Sequence, residues 1–102
     1  MNSIANQLVL TANIVEFDAL RYTPSGLPAL NLKLEHESEI VEAGQKRQVK
    51  AAVKSVAFGV MAERLVKQAV GSTWNFNGFL ATPRNGKYGV FHIQEFQQIA
   101  NS

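Results

Sequence analysis

Lys46, Lys50 and Lys54 recur at every fourth position of one segment. In an extended chain that spacing puts all three ammonium groups on one face, with neighbours about 13 Å apart. The interval is close to the span of two nucleotides of extended backbone, so the stripe suits phosphate tracking. Lys33, on the polar side of the preceding segment, adds a fourth cation. Arg84, Lys87 and Tyr88 cluster further along. A basic–aromatic tip of that kind can grip phosphate and stack a base, and stacking is worth about 1–3 kcal/mol per base. Each feature also has a plainer reading, as a solubilising face or as a solvated turn with Tyr88 folded onto the body of the protein. No aromatic residue lies between the lysines, so binding there would rest on charge and weaken steeply with salt.

Catalytic chemistry finds no comparable support. The two histidines, His36 and His92, stand on separate segments without a companion cluster. Leu34-Glu35-His36-Glu37 suggests an acid–base or metal pair, but adjacent residues of a strand point to opposite faces. Both histidines read as ordinary strand-surface residues, and neither a glycine-rich phosphate cradle nor a nucleophile elbow occurs. The absence of cysteine removes thiolate catalysis, disulfides and cysteine-ligated metals together. No cofactor and no catalytic residue are expected.

The elements that must position these residues follow from periodicity. Leu8, Leu10, Ala12 and Ile14 alternate with Val9, Thr11 and Asn13, the period of a strand, and Phe17 and Leu20 can extend it. Thr23-Pro24-Ser25-Gly26-Leu27-Pro28 must be a turn, because two prolines and a glycine fit neither a central strand nor a helix. Leu30, Leu32 and Leu34 then alternate with Asn31, Lys33 and Glu35 in a second strand. The acidic stretch 37–45, ending at Ala43-Gly44, reads as a loop, and 46–56 as a third strand with Val49, Ala51 and Val53 opposite the lysines. Phe58, Met61, Ala62, Leu65, Val66 and Ala69 trace a helical stripe over 58–70, with Gly71 as its stop. Trp74 to Leu80 resumes strand alternation. Asn85-Gly86 predicts a hairpin turn within 82–87, and 88–99 a closing strand. Trp74, Phe76, Phe79, Phe91 and Phe96 read as core or dimer contacts rather than stacking platforms.

The order β-β-β-α-β-β predicts an all-β fold: a five-stranded OB-fold barrel with a short helix between strands 3 and 4. Such barrels bind oligonucleotides on the second and third strands and two long loops, where the lysine stripe falls. At 102 residues the chain is read as a single domain, 1–102, with a modest core that dimerisation would enlarge. A net charge of +2 is a weak signal for an anionic partner, so the placement of the charges carries that inference. No apolar run approaches a membrane span, and the first seven residues lack the pattern of a signal peptide. A cytoplasmic protein without membrane contact is expected.

Asn6-Gln7-Leu8-Val9-Leu10, the Thr23–Pro28 turn, Leu34-Glu35-His36, Glu42-Ala43-Gly44, Arg47-Gln48, Val70-Gly71-Ser72 and Gly78-Phe79 follow one another in the order of a known family. In these motifs, across nearly its whole length, the chain resembles the primosomal replication protein N (PriB) family. The resemblance implies a homodimeric OB-fold of the single-stranded-DNA-binding-protein type that acts in bacterial replication restart. It further implies binding of single-stranded DNA, stabilisation of the PriA helicase at the fork and recruitment of DnaT. It adds Arg21 and Arg47 to the candidate DNA-binding residues and places Arg84 at the start of a basic loop. Lys50 stands where familiar members carry tryptophan, Gln45 where they carry an aromatic, and the last hairpin is shorter with fewer lysines. Stacking is therefore expected to contribute less than in those relatives. Two other functions remain open: a protein–protein adapter with vestigial DNA binding, and a general single-strand coating protein. The latter usually carries a long acidic, glycine-rich tail, whereas this sequence stops at Ser102.

Overall fold

The alternation starting at Leu8 becomes strand β1 (Leu8–Phe17), with Ala12 and Ile14 buried and Val9, Thr11 and Glu16 outside. The computed structural model describes residues 4–99; residues 1–3 and 100–102, on which the expectations about the chain ends partly rested, lie outside the described residues. A two-residue strand β2 (Arg21–Tyr22) precedes the Pro-Ser-Gly turn. There the Thr23 carbonyl accepts from Gly26 N–H at 2.8 Å, and Gly26 takes the positive φ of 88° that few other residues tolerate. Strand β3 (Pro28–Glu42) buries Leu30, Leu32 and Leu34, and β4 (Gln45–Phe58) follows antiparallel to it. Helix α1 (Val60–Leu65), β5 (Thr73–Ala81) and β6 (Val90–Gln97) complete the chain.

β1 pairs with β5 through its first half and with β3 through its second. β5 pairs with β6, and β6 returns to β4 in a short parallel contact, Ser55↔Phe91 and Val56↔His92. That circuit closes five long strands into a barrel, with β2 as an extra pairing on β3. Ile14, Leu30, Leu34, Leu65, Phe76 and Phe91 are fully buried inside it. α1 plugs one end with Ala62 and Leu65. The chain after it is tied to β1 where Ile14 O accepts from Gly71 N–H at 2.7 Å. The five-stranded OB-fold with a helix between the third and fourth long strands is the observed architecture.

Three expected boundaries move. The acidic stretch is not a loop: β3 and β4 stay paired out to Glu42↔Gln45, and only Ala43-Gly44 turns, with φ of 52° and 78°. Positive φ at both central residues is the two-residue hairpin geometry that matches strand twist. The strand escaped periodicity because this outer arm has no core on either side, so its few apolar residues, Ile40 and Val41 among them, fall on both faces without alternation. The helix is shorter than the 58–70 stripe. Phe58 is the last residue of β4, and Gly59, at φ 69°, breaks the chain before Val60. Asn85 and Gly86 do not form a two-residue hairpin, because neither has the positive φ it needs. Pro83 O instead accepts from Gly86 N–H at 2.9 Å within a longer loop, 82–89, and β6 starts only at Val90.

Candidate nucleic-acid interface

The β3–β4 register decides which cations share a surface. Lys33 lies opposite Lys54, Glu37 opposite Lys50 and Val41 opposite Lys46, so the three β4 lysines and Lys33 occupy one outer face. The two ends of that stripe differ. Towards the arm tip, acids interleave with the lysines: Lys46 Nζ lies 3.9 Å from Glu39, and Lys50 faces Glu37 across the ladder. These exposed pairs stabilise little, but they cancel the local field that would attract phosphate. At the barrel, Lys33 and Lys54 face each other and neither is in an ion pair among the described residues, with Glu16 of β1 opposite Lys33 on its other side.

Around that end lies a groove of about 890 Å³ whose lining includes Arg21, Asn31, Lys33, Lys54, Phe58 and His92. Glu16 and Asp18 form one rim, and Ala81, Thr82 and Pro83 from the β5–β6 side form the other. Arg21 donates to Asn31 Oδ1 at 3.1 Å. Val56, buried, provides an apolar floor next to the polar side chains.

Other expected site residues fall elsewhere. Arg47 lies on the opposite face of β4, across from Ile40, and its guanidinium is paired with Glu42. It therefore does not join the lysine stripe, because residues of odd and even number on β4 point apart. Arg84, Lys87 and Tyr88 sit together in the 82–89 loop but do not line the groove. Tyr88 is 82% exposed, so it is not folded onto the barrel.

The two histidines have distinct settings. His36 closes the gap where β3 leaves β1: its Nδ1–H donates to the Thr11 carbonyl at 2.6 Å. Its Nε2 then accepts from Ser38 at 2.8 Å. Both ring nitrogens are thus used structurally. His92, in contrast, was missed as a site residue. It stacks on Phe79 with centroids 4.8 Å apart and 18° between planes, and Phe58 leans on its other side at 5.9 Å. Extending the β4 alternation two residues beyond Val56 would have placed Phe58 on the lysine face. His92 gives no such signal, because its place depends on the parallel β4–β6 contact.

Burial holds the His92 pKa below its ordinary value of 6.5. The unfolded chain therefore takes up a proton at this histidine before the folded chain does. Stability is expected to fall as pH drops below about 6.5 and through the lower folded-state value. The His92→Gln variant should lose that part of the pH dependence in chemical denaturation series, and an unchanged profile would refute it.

A profile described as another single-strand binding protein family matches residues 6–95. Replication restart protein PriB of Bordetella pertussis is 44% identical over 98 residues, covering 95% of this chain and 92% of the relative. PriB of Nitrosomonas europaea is 31% identical, with 92% and 88% covered. The solved structure of PriB from Ralstonia solanacearum superposes with a TM-score of 0.85 at 37% identity, covering 93% of this chain and 98% of that one. With the barrel, its parallel closure and the cationic groove in place, these similarities settle the kinship: the chain belongs to the PriB family of single-strand-binding-protein-like OB-folds.

Proposed function

We propose that the protein is a replication-restart factor that holds single-stranded DNA in the groove beside Lys33 and Lys54 and couples it to the primosome. The observation that carries this reading is the lysine pair Lys33 opposite Lys54 on the outer face of β3 and β4, neither of which is held in an ion pair among the described residues. That is the surface on which OB-folds take oligonucleotides. Phosphate capture by this pair, with Arg21 nearby, supplies the electrostatic part of binding. Arg84 and Lys87 on the exposed 82–89 loop extend the basic surface, and Lys46 and Lys50 contribute less because of their acidic partners. Within this reading the protein stabilises PriA at the fork and helps recruit DnaT. It does so as a homodimer, for which the first half of β1, paired only with β5 among the described residues, offers an open strand edge. It performs no catalysis of its own.

A salt titration of oligonucleotide binding tests the groove. Two engaged phosphates correspond to a slope of log K against log salt of about −1.4 or steeper, since each contributes roughly −0.7 on a single strand. A slope near zero would sink phosphate capture. The adapter reading keeps one specific support. The arm formed by 36–51 neutralises its own lysines and exposes Ile40 and Val41, a surface better suited to protein than to DNA.

A further inference from the structure

Phosphate capture leaves the backbone of β4 unused. That strand pairs with β3 along its whole length, but on its other side it pairs with β6 only at Ser55 and Val56. From Gln45 to Lys54 this second edge is therefore open among the described residues, and every second residue points its N–H and C=O away from β3. The side chains along the edge sort by face. Lys50 and Lys54 project on the outer side, and Val49, Ala51 and Val53 on the other, with Val53 packed against the core. At Ala52, Val53 and Lys54 the edge opens into the groove, whose far rim holds Thr82 and Pro83. The cross-strand rows show what the edge lacks. Glu16, Lys33 and Lys54 stand in one row over β1, β3 and β4, so Lys33 has an acid beyond it and Lys54 has none. Two rows further out, Glu37 and Lys50 end at the same open edge.

We propose that the β4 edge over 49–54 is a docking strand for an extended acidic segment of a partner protein, which adds to the sheet beside β4. The main chain of that segment takes up the open N–H and C=O groups. Its acidic side chains stand beside Lys50 and Lys54, and the aliphatic ones between them lie beside Val49, Ala51 and Val53. An acid next to Lys54 completes the row as acid, lysine, lysine, acid. This inference rests on the proposed coupling to the primosome and specifies its protein contact, and it does not require DNA to be bound. Charge and backbone chemistry decide the occupant. A second copy laid on the same edge would crowd its own lysines against these, and like charges directly opposite are destabilising. The β3 edge of another copy, with Glu37 and Glu39, matches the lysines, but such a head-to-tail contact does not close and leads to fibres. A nucleic-acid strand cannot reproduce the alternating N–H and C=O of a β-strand.

The test uses the full-length protein and a fluorescent synthetic peptide of about six residues, one ordinary strand length, alternating glutamate with valine. Wild type should bind it about tenfold more tightly than a peptide with the same residues in two blocks, the value of a few cross-strand pairs. N-methylation of the amides along one edge of the peptide should weaken binding far more than along the other, because only one edge meets β4. Equal binding by the parent and both methylated peptides would show capture by charge alone and overturn strand addition. Lys54→Glu should shift the preference from the glutamate peptide towards its lysine counterpart, and an unchanged preference would overturn the role given to Lys54. No peptide binding by protein that still takes up oligonucleotides would overturn the docking edge and leave phosphate capture standing. A fall in sedimentation mass on adding the peptide would show that the edge already holds another copy, and would also overturn the proposal.

Discussion

Gly78→Ala should lower the stability of the protein by about 3 kcal/mol, at the upper end of ordinary overpacking costs. Gly78 lies in β5 beside the bulge at Asn77/Gly78, opposite Ile93 of β6. A Cβ at this position would overlap the His92 carbonyl oxygen and stand 2.9 Å from both the His92 carbonyl carbon and Phe91 Cε1. The first two atoms are backbone within a paired strand and cannot turn away. Phe91 is fully buried, so β6 as a whole must shift. For a domain of this size a loss of that order corresponds to a fall in Tm of roughly 15 °C. Gly71→Ala provides the contrast. Nothing lies within 4 Å of its added Cβ, and only its φ of 93° opposes the change. Its cost should be nearer the 1–2 kcal/mol of a left-handed residue. Equal losses in the two variants, measured by urea denaturation, would show that close approach at Gly78 is not the cause. The Gly78 variant should also disturb the site, because the missing Cβ lets the His92 backbone approach β5 and lets its ring reach Phe79.

That link between a core glycine and a surface ring marks the limit of what periodicity can read. The long strands were legible because their inner residues alternate against one core: Leu30, Leu32 and Leu34 are all buried as expected. The same rule put Lys46, Lys50 and Lys54 on one face correctly, since parity alone fixes that. Parity cannot report what lies across the ladder. Glu37 and Glu39 were assigned to a loop, so their cancellation of the outer lysines was hidden. The identification of Arg47 with the DNA face came from resemblance rather than alternation, and the register puts it on the other side with Glu42. The ring tier was hidden for a different reason. Phe79 meets His92 across the antiparallel β5–β6 ladder, and Phe58 joins them only because β6 runs parallel to β4. No spacing within a single segment encodes a parallel contact made after a helix and a hairpin have intervened.

Replacing Lys33 and Lys54 together by alanine should weaken single-stranded DNA binding on the order of tenfold at low salt. The salt slope should flatten by about 1.4, the sum of two single-strand phosphate contacts. The register gives this pair a second signature. Two lysines directly opposite on adjacent strands repel, at a cost of a few tenths of a kcal/mol or more. Glu16, opposite Lys33 on β1, offsets that repulsion, so the double variant should be about as stable as wild type while binding DNA less well. Residues placed merely to solubilise the face would show no such loss of binding. Replacing Lys46 and Lys50 gives the internal control, because Glu39 and Glu37 already compensate them. Their loss should alter the slope much less, and equal effects from the two pairs would refute the division of the stripe. Assaying PriA stimulation with the same Lys33/Lys54 variant then separates the two functional readings. If stimulation falls in step with DNA affinity, the groove holds the strand for the helicase. If it persists at wild-type level after DNA binding is lost, coupling runs through protein contacts, and the self-neutralised 36–51 arm becomes the surface to mutate next.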